Sequence, residues 1–250
     1  MQDMTSAFDD VGAPTKPALV VFFVIDRSGS MGGARINAVN TAMRETVPIL
    51  RGMSGVDADF KIAVLTFSAG AKWMYSEPKD VESFDWQELD VEGWTDFGAA
   101  CNELCNKMSR SVYMNSNQGY KKPIVILITD GGPTDDGVWQ PALAKLKTNR
   151  WFQFAFKFAL AVDESVDRDV LEDFVGTSEA VFDIKDPEVL KRLITVIAVT
   201  SSEIGSRSMP IDVSSSAGAG GASADAKDTQ RVNKAVAAAA ANLVPDSAWD

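Results

Sequence analysis

Two stretches constrain the fold of this 250-residue chain more than any others: ALVVFFVID at Ala18–Asp26 and PIVILITD at Pro123–Asp130. Each is an uninterrupted apolar, β-branched run, far shorter than the roughly 20 residues that cross a bilayer. Runs of this kind are strands covered on both faces, which is the condition of a parallel sheet between helix layers. Phe60–Phe67 (FKIAVLTF) is a third such strand. Lys72–Ser76 follows closely enough to pair with it antiparallel at an edge. Phe152–Val162 alternates large with lighter residues and reads as a fifth strand, and Val181–Ile184 as a short sixth. Between the strands apolar residues recur at helical spacing. Ile36, Val39, Met43, Val47 and Leu50 predict a helix over 33–51, and Phe97, Ala100, Cys101, Leu104 and Met108 predict one over 97–111. Residues 138–148, 167–175 and 186–202 complete the set. The alternation predicts an α/β domain: a Rossmann-like, doubly wound, mostly parallel six-stranded sheet with one antiparallel edge strand and helices on both faces. Ligands of such sheets bind beyond the carboxyl ends of the strands.

Composition divides the chain into four parts. Residues 1–16 are a polar, acidic lead-in expected to be flexible, without the basic and apolar regions of a signal peptide, so a cytoplasmic location is expected. Residues 17–208 hold nearly all the large apolar side chains and form the domain. Residues 209–227 are rich in Ser, Gly and Ala and read as a linker. Residues 228–250 are an alanine-rich helix and tail. Within them Thr229–Val244 is the helix, with Val232, Ala235, Val236, Ala239, Ala240 and Leu243 on one stripe, Asp228 as its cap and Pro245 as its stop. A stripe made mostly of alanine docks weakly, and a marginal helix is the favoured expectation.

The absence of any His removes Ser-His-Asp and Cys-His catalysis and imidazole metal sites. Two cysteines cannot frame a disulfide scaffold or supply four thiolates, and Cys101 and Cys105 are expected in the core. A net charge of -11 argues against nucleic acid or an anionic membrane as partner.

Two of the strongest strands end in aspartate, Asp26 and Asp130, each followed by small residues. Neighbouring strands would bring the two carboxylates to one sheet edge, where they repel unless a cation intervenes or one is protonated. The loop after Asp130 has no Lys or Arg, so a hard divalent cation is the expected answer. Ser28 and Ser30 add two hydroxyls within five residues of Asp26, and Thr95 a third from the loop ahead of the helix at 97. Oxygen ligands of low total charge suit Mg2+.

Asp26-Arg27-Ser28-Gly29-Ser30, Thr95 with Asp96 after it, and Asp130 in Leu127-Ile128-Thr129-Asp130-Gly131 resemble the metal-ion-dependent adhesion site of von Willebrand factor type A domains. The resemblance covers about residues 17–202. It implies a Rossmann-like sheet that holds Mg2+, or Mn2+, at its carboxyl edge. Ser28, Ser30 and Thr95 would be direct ligands, Asp26 and Asp130 mainly water-bridged, and an acidic side chain of a partner protein would complete the shell. The segment Val24–Met31 together with Ala38-Val39-Asn40 is most similar to bacterial TerY-like tellurium-resistance and stress proteins.

Arg27, Met31, Trp94, Asp96 and Gly131 are the expected partner-binding rim. The acid-rich segment 77–92 reads as a solvated loop, with Trp94 more buried than Trp86. Asp135 and Asp136 read as a solvated turn. The expected function is therefore metal-dependent protein binding, without catalysis. One alternative is a phosphoryl-transfer enzyme of phosphatase type, in which a strand-end aspartate attacks phosphorus. The other is a scaffold whose metal only stabilises the fold.

Overall fold

The computed structural model describes residues 16–53, 58–109, 111–114, 119–163, 166–184, 187–207 and 220–241. The strands are β1 (Ala18–Asp26), β2 (Asp59–Ser68), β3 (Gly70–Trp73), β4 (Lys79–Asp80), β5 (Ile124–Thr129), β6 (Phe156–Ala161) and β7 (Val181–Asp183). They form one sheet in the order β3-β2-β1-β5-β6-β7, with β4 also on β2. β2, β1, β5, β6 and β7 are parallel, and β3 and β4 run antiparallel to β2. The expected fold is present, enlarged by β4, a two-residue strand with no periodicity for the sequence to show. All nine residues of β1 are buried, as its apolar run requires in a central strand.

The helices are α1 (Ala34–Met53), α2 (Phe97–Lys107), α3 (Trp139–Thr148), α4 (Arg150–Phe154), α5 (Arg168–Val175), α6 (Pro187–Arg207) and α7 (Gly220–Ala241). Among the described residues no helix is long and apolar enough to cross a membrane. The strand expected from Phe152 begins only at Phe156. Asn149 accepts a hydrogen bond from the Phe152 N–H and starts α4 instead, so a local cap overrides the alternating aromatics. Phe152 remains in the core and packs edge-on against Phe174 of α5. β3 spans 70–73 rather than 72–76 because the reversal is confined to Ala69, with Ser68 opposite Gly70. Gly70 has a φ of 97° there.

α7 starts at Gly220, inside the stretch expected as a linker, so Asp228 is interior to the helix rather than its cap. Val232 and Val236 are fully buried against the domain, with α6 as the main neighbour, while Ala235 is exposed. Leu243, Val244 and Pro245 lie outside the described residues. Cys101 is buried and Cys105 packs against the core.

Candidate metal centre

β1 and β5 are adjacent and in register, with Ile25 opposite Ile128, so their tips emerge side by side. Asp26 and Asp130 thus reach the same edge, 0 % and 2 % exposed. Both Asp26 oxygens are engaged: Oδ1 accepts from the Ser28 N–H at 2.8 Å, and Oδ2 from the Thr129 hydroxyl at 2.6 Å. Burial pushes the Asp26 carboxyl above the usual aspartate range, against the opposing pull of the Thr129 and Ser28 hydrogen bonds, and the charge of Asp130 adds to the rise. Ser30 donates to Asp130 Oδ1 at 2.8 Å, and the Ser28 and Ser30 hydroxyl oxygens lie 3.1 Å apart. Asp26, Ser28, Ser30 and Asp130 are thereby linked in one polar cluster.

Thr95 arrives on the third loop, tied to the other two mainly through backbone. The Gly29 N–H donates to the Gly93 carbonyl at 3.0 Å and the Glu92 N–H to the Arg27 carbonyl at 2.8 Å. On its other side Thr95 exchanges hydrogen bonds with Thr134: its N–H donates to the Thr134 hydroxyl, and its carbonyl accepts from the Thr134 N–H. Thr95, Thr129 and Gly131 line one small cavity. Gly93 adopts a φ of 64° and passes so close to Ala69 that a Cβ would lie 3.0 Å from the alanine methyl, which favours glycine at that turn.

The von Willebrand factor type A domain family matches residues 21–196, most of the chain. The chain belongs to the von Willebrand factor type A family. Solved structures agree on the fold. A von Willebrand factor type A protein from Catenulispora acidiphila is 18 % identical with a TM-score of 0.54, covering 74 % of this chain and 42 % of that one. The proximal thread matrix protein 1 of the mussel byssus, in a structure with a zinc-occupied MIDAS motif, is 18 % identical with a TM-score of 0.52, covering 73 % and 46 %. The pilus adhesin SpaC of Lactobacillus rhamnosus GG is 14 % identical with a TM-score of 0.58, covering 75 % and 30 %. This chain therefore spans less than half the length of each of these proteins. No curated protein sequence matches it.

The carboxyl edge of this von Willebrand factor type A domain holds one residue that sequence reasoning missed. Arg35, in the first turn of α1, donates from Nη1 to Asp130 Oδ2 at 2.9 Å and to the Ser30 carbonyl at 2.8 Å, and from Nη2 to Asp163. A cation from the chain itself already faces Asp130, so the expectation that a divalent ion is the answer to the paired carboxylates is corrected to this extent: Arg35 compensates one of them. A signal for it exists. A basic residue at a helix N-terminus opposes the helix dipole unless an acid is near. Helical side chains also lean towards the N-terminus, over the preceding loop.

The rim is also revised. Met31 is fully buried in the core and forms no part of an exposed rim. Trp94 is 68 % exposed beside the site, whereas Trp86 is half-buried and donates its indole N–H to Asn40 Oδ1 at 3.2 Å, the reverse of the expected order. Asn40 causes the reversal: it also accepts from the Leu89 N–H and donates to the Leu89 carbonyl, pinning the acid-rich segment to α1. Arg27 pairs with Glu92 and donates to the Asp90 carbonyl. Asp96 caps α2, accepting from the Ala99 N–H at 2.9 Å. Gly131 has open space where a Cβ would stand. Asp135 is no solvated turn residue: it accepts from the Phe97 and Gly98 N–H groups, and burial raises its carboxyl.

Proposed function

We propose that this domain is a metal-dependent protein-binding module, in which a divalent cation held by Ser28, Ser30 and Thr95, with Asp26 and Asp130 behind them, bridges to an acidic side chain of a partner protein. The observation that carries the reading is the oxygen spacing. Octahedral Mg2+, with bonds of about 2.1 Å, sets neighbouring ligand oxygens about 3.0 Å apart. The Ser28–Ser30 separation of 3.1 Å suits it, the Ser30 hydroxyl is in turn oriented by its 2.8 Å hydrogen bond to Asp130, and Mn2+ takes a similar oxygen set. When bound, the ion supplies an open coordination position to a carboxylate. The chain's own residues hold the hydroxyls at the right spacing and keep the Asp26 carboxyl buried and oriented by Ser28 and Thr129.

The burial of Asp26 also favours binding over phosphoryl transfer. Asp26 is fully buried, with each oxygen held by a hydrogen bond from Ser28 or Thr129, whereas a nucleophile must be open to its substrate. The zinc-bearing motif of the mussel protein and the adhesin neighbour fit the same reading. We place the module in the cytoplasm, in a bacterial stress or tellurite-resistance system, on the resemblance of its first loop to TerY-like proteins.

Mn2+ titration followed by electron paramagnetic resonance, together with capture of acidic partner proteins in Mg2+ and in chelator, tests the reading. The parent chain should bind Mn2+ and capture partners only with metal. Asp130→Ala and Ser28→Ala should lose both while keeping the parent's circular dichroism. Partner capture that survives chelator and both substitutions refutes it, and metal binding that raises Tm without altering capture supports the scaffold reading.

A further inference from the structure

A cleft of about 510 Å³ opens at the opposite end of the sheet, where the chain enters β5 and β6. Its size is that of small-molecule sites. Lys157 lines it from β6, Lys122 from the chain just ahead of β5, Thr177 from the α5–β7 connection, and Gln230 and Asn233 from α7.

Two features set this cleft apart from an ordinary surface hollow. The first is charge. Lys122 is 1 % exposed, with its ammonium 5.1 Å from the centre of the Phe156 ring and a further partner of its own, so it contributes positive field rather than an open contact. Lys157 is part-buried and donates to the Phe152 carbonyl at 3.0 Å and the Ala155 carbonyl at 3.2 Å. Those acceptors are neutral, and Lys157 forms no ion pair among the described residues. Buried charges are ordinarily paired. Burial, reinforced by the charge of Lys122, lowers the Lys157 ammonium to about 8. The second feature is Asn233, 4 % exposed, which lines the cleft without a side-chain hydrogen bond to another described residue. Its amide is open to the cleft rather than sealed in the protein interior, so its hydrogen-bonding groups are available to a ligand there. Glu179, the acid that lines the cleft, is exposed at its rim. One kind of ligand satisfies both features: a compact anion whose oxygens accept from ammonium and amide groups together.

We propose that this cleft binds a small oxyanion, bearing a phosphate or carboxylate group, held by Lys157 and Asn233, in the positive field of Lys122, and covered by α7. Thr177 and Gln230 supply further donors. The site stands on its own residues and needs no metal.

Calorimetric titration of the whole chain in chelator, with inorganic phosphate and separately with acetate at constant ionic strength, tests this. At least one anion should bind saturably, and which one does identifies the group. Lys157→Gln should weaken binding about tenfold, the loss of one charge-assisted contact, and Asn233→Ala should weaken it several-fold. Hydrogen exchange in α7 should slow when the anion is bound. No saturable heat from either anion up to about 10 mM, or affinities unchanged in both variants, overturns the proposal. Should Lys157→Gln not fold, Asn233→Ala decides alone.

Discussion

Arg35→Gln separates the work of the built-in cation from that of a metal. In the parent the guanidinium faces Asp130, whose side chain is 1 % exposed, while Arg35 itself is 31 % exposed. Removing one partner of a fully buried pair costs about 3–5 kcal/mol, and an exposed pair contributes about 0–1 kcal/mol. With one partner buried and the other a third exposed, the cost should be about 2 kcal/mol, since Asp130 is left beside Asp26 with less compensation. For a domain of this size about 1 kcal/mol moves Tm by roughly 2–4 °C, so Arg35→Gln should melt roughly 4–8 °C below the parent in chelator. Excess Mg2+ or Mn2+ should narrow that gap. The guanidinium repels a divalent ion as well as attracting Asp130, so the variant should bind metal more tightly. Occupancy at a hundred times Kd stabilises by about 2.7 kcal/mol. Thermal melts of both proteins in chelator and in metal measure all four states. Equal melting in chelator, or a gap that widens with metal, would refute the reasoning. Metal that stabilises neither protein would count against the metal reading itself.

Gly98→Ala should destabilise by about 1–3 kcal/mol in urea unfolding, because its Cβ would fall 2.5 Å from Asp135 Oδ2 and 3.1 Å from Trp139 Cα, displacing the carboxylate that holds the start of α2. Trp94→Ala should change stability by less than about 0.5 kcal/mol yet reduce partner capture in Mg2+, since an exposed indole beside a site is a natural anchor. The pH dependence of stability should identify Lys157. Its ammonium lies at about 8 in the fold against an ordinary 10.5, so between those values the unfolded chain binds more protons and the parent gains stability as pH rises. Lys157→Gln should lack that gain when urea midpoints are compared at pH 7 and pH 10.5. An equal rise in both proteins would assign the effect to other groups.

The parts of the fold visible in the sequence are those set by local pattern over several residues. Ala18–Asp26 and Pro123–Asp130 could only be covered strands, and their aspartate tips followed once the strands were neighbours. What escaped notice depends on a single contact. Arg35 is defined by where a long side chain ends, which no periodicity records. Trp86 is held inward by Asn40, a residue 46 positions away. At Phe152 a capping bond outweighed an alternating pattern. α7 has too few large side chains to predict its docking, yet two valines suffice when α6 offers them a surface.

The stitching of the first and third loops, Gly29 to Gly93 and Arg27 to Glu92, uses main-chain atoms at both ends. That framework does not depend on which side chains the loops carry. Hydroxyls at the sheet edge can therefore be exchanged for other donors while the socket keeps its shape, so the chemistry of this edge can be rewritten one residue at a time.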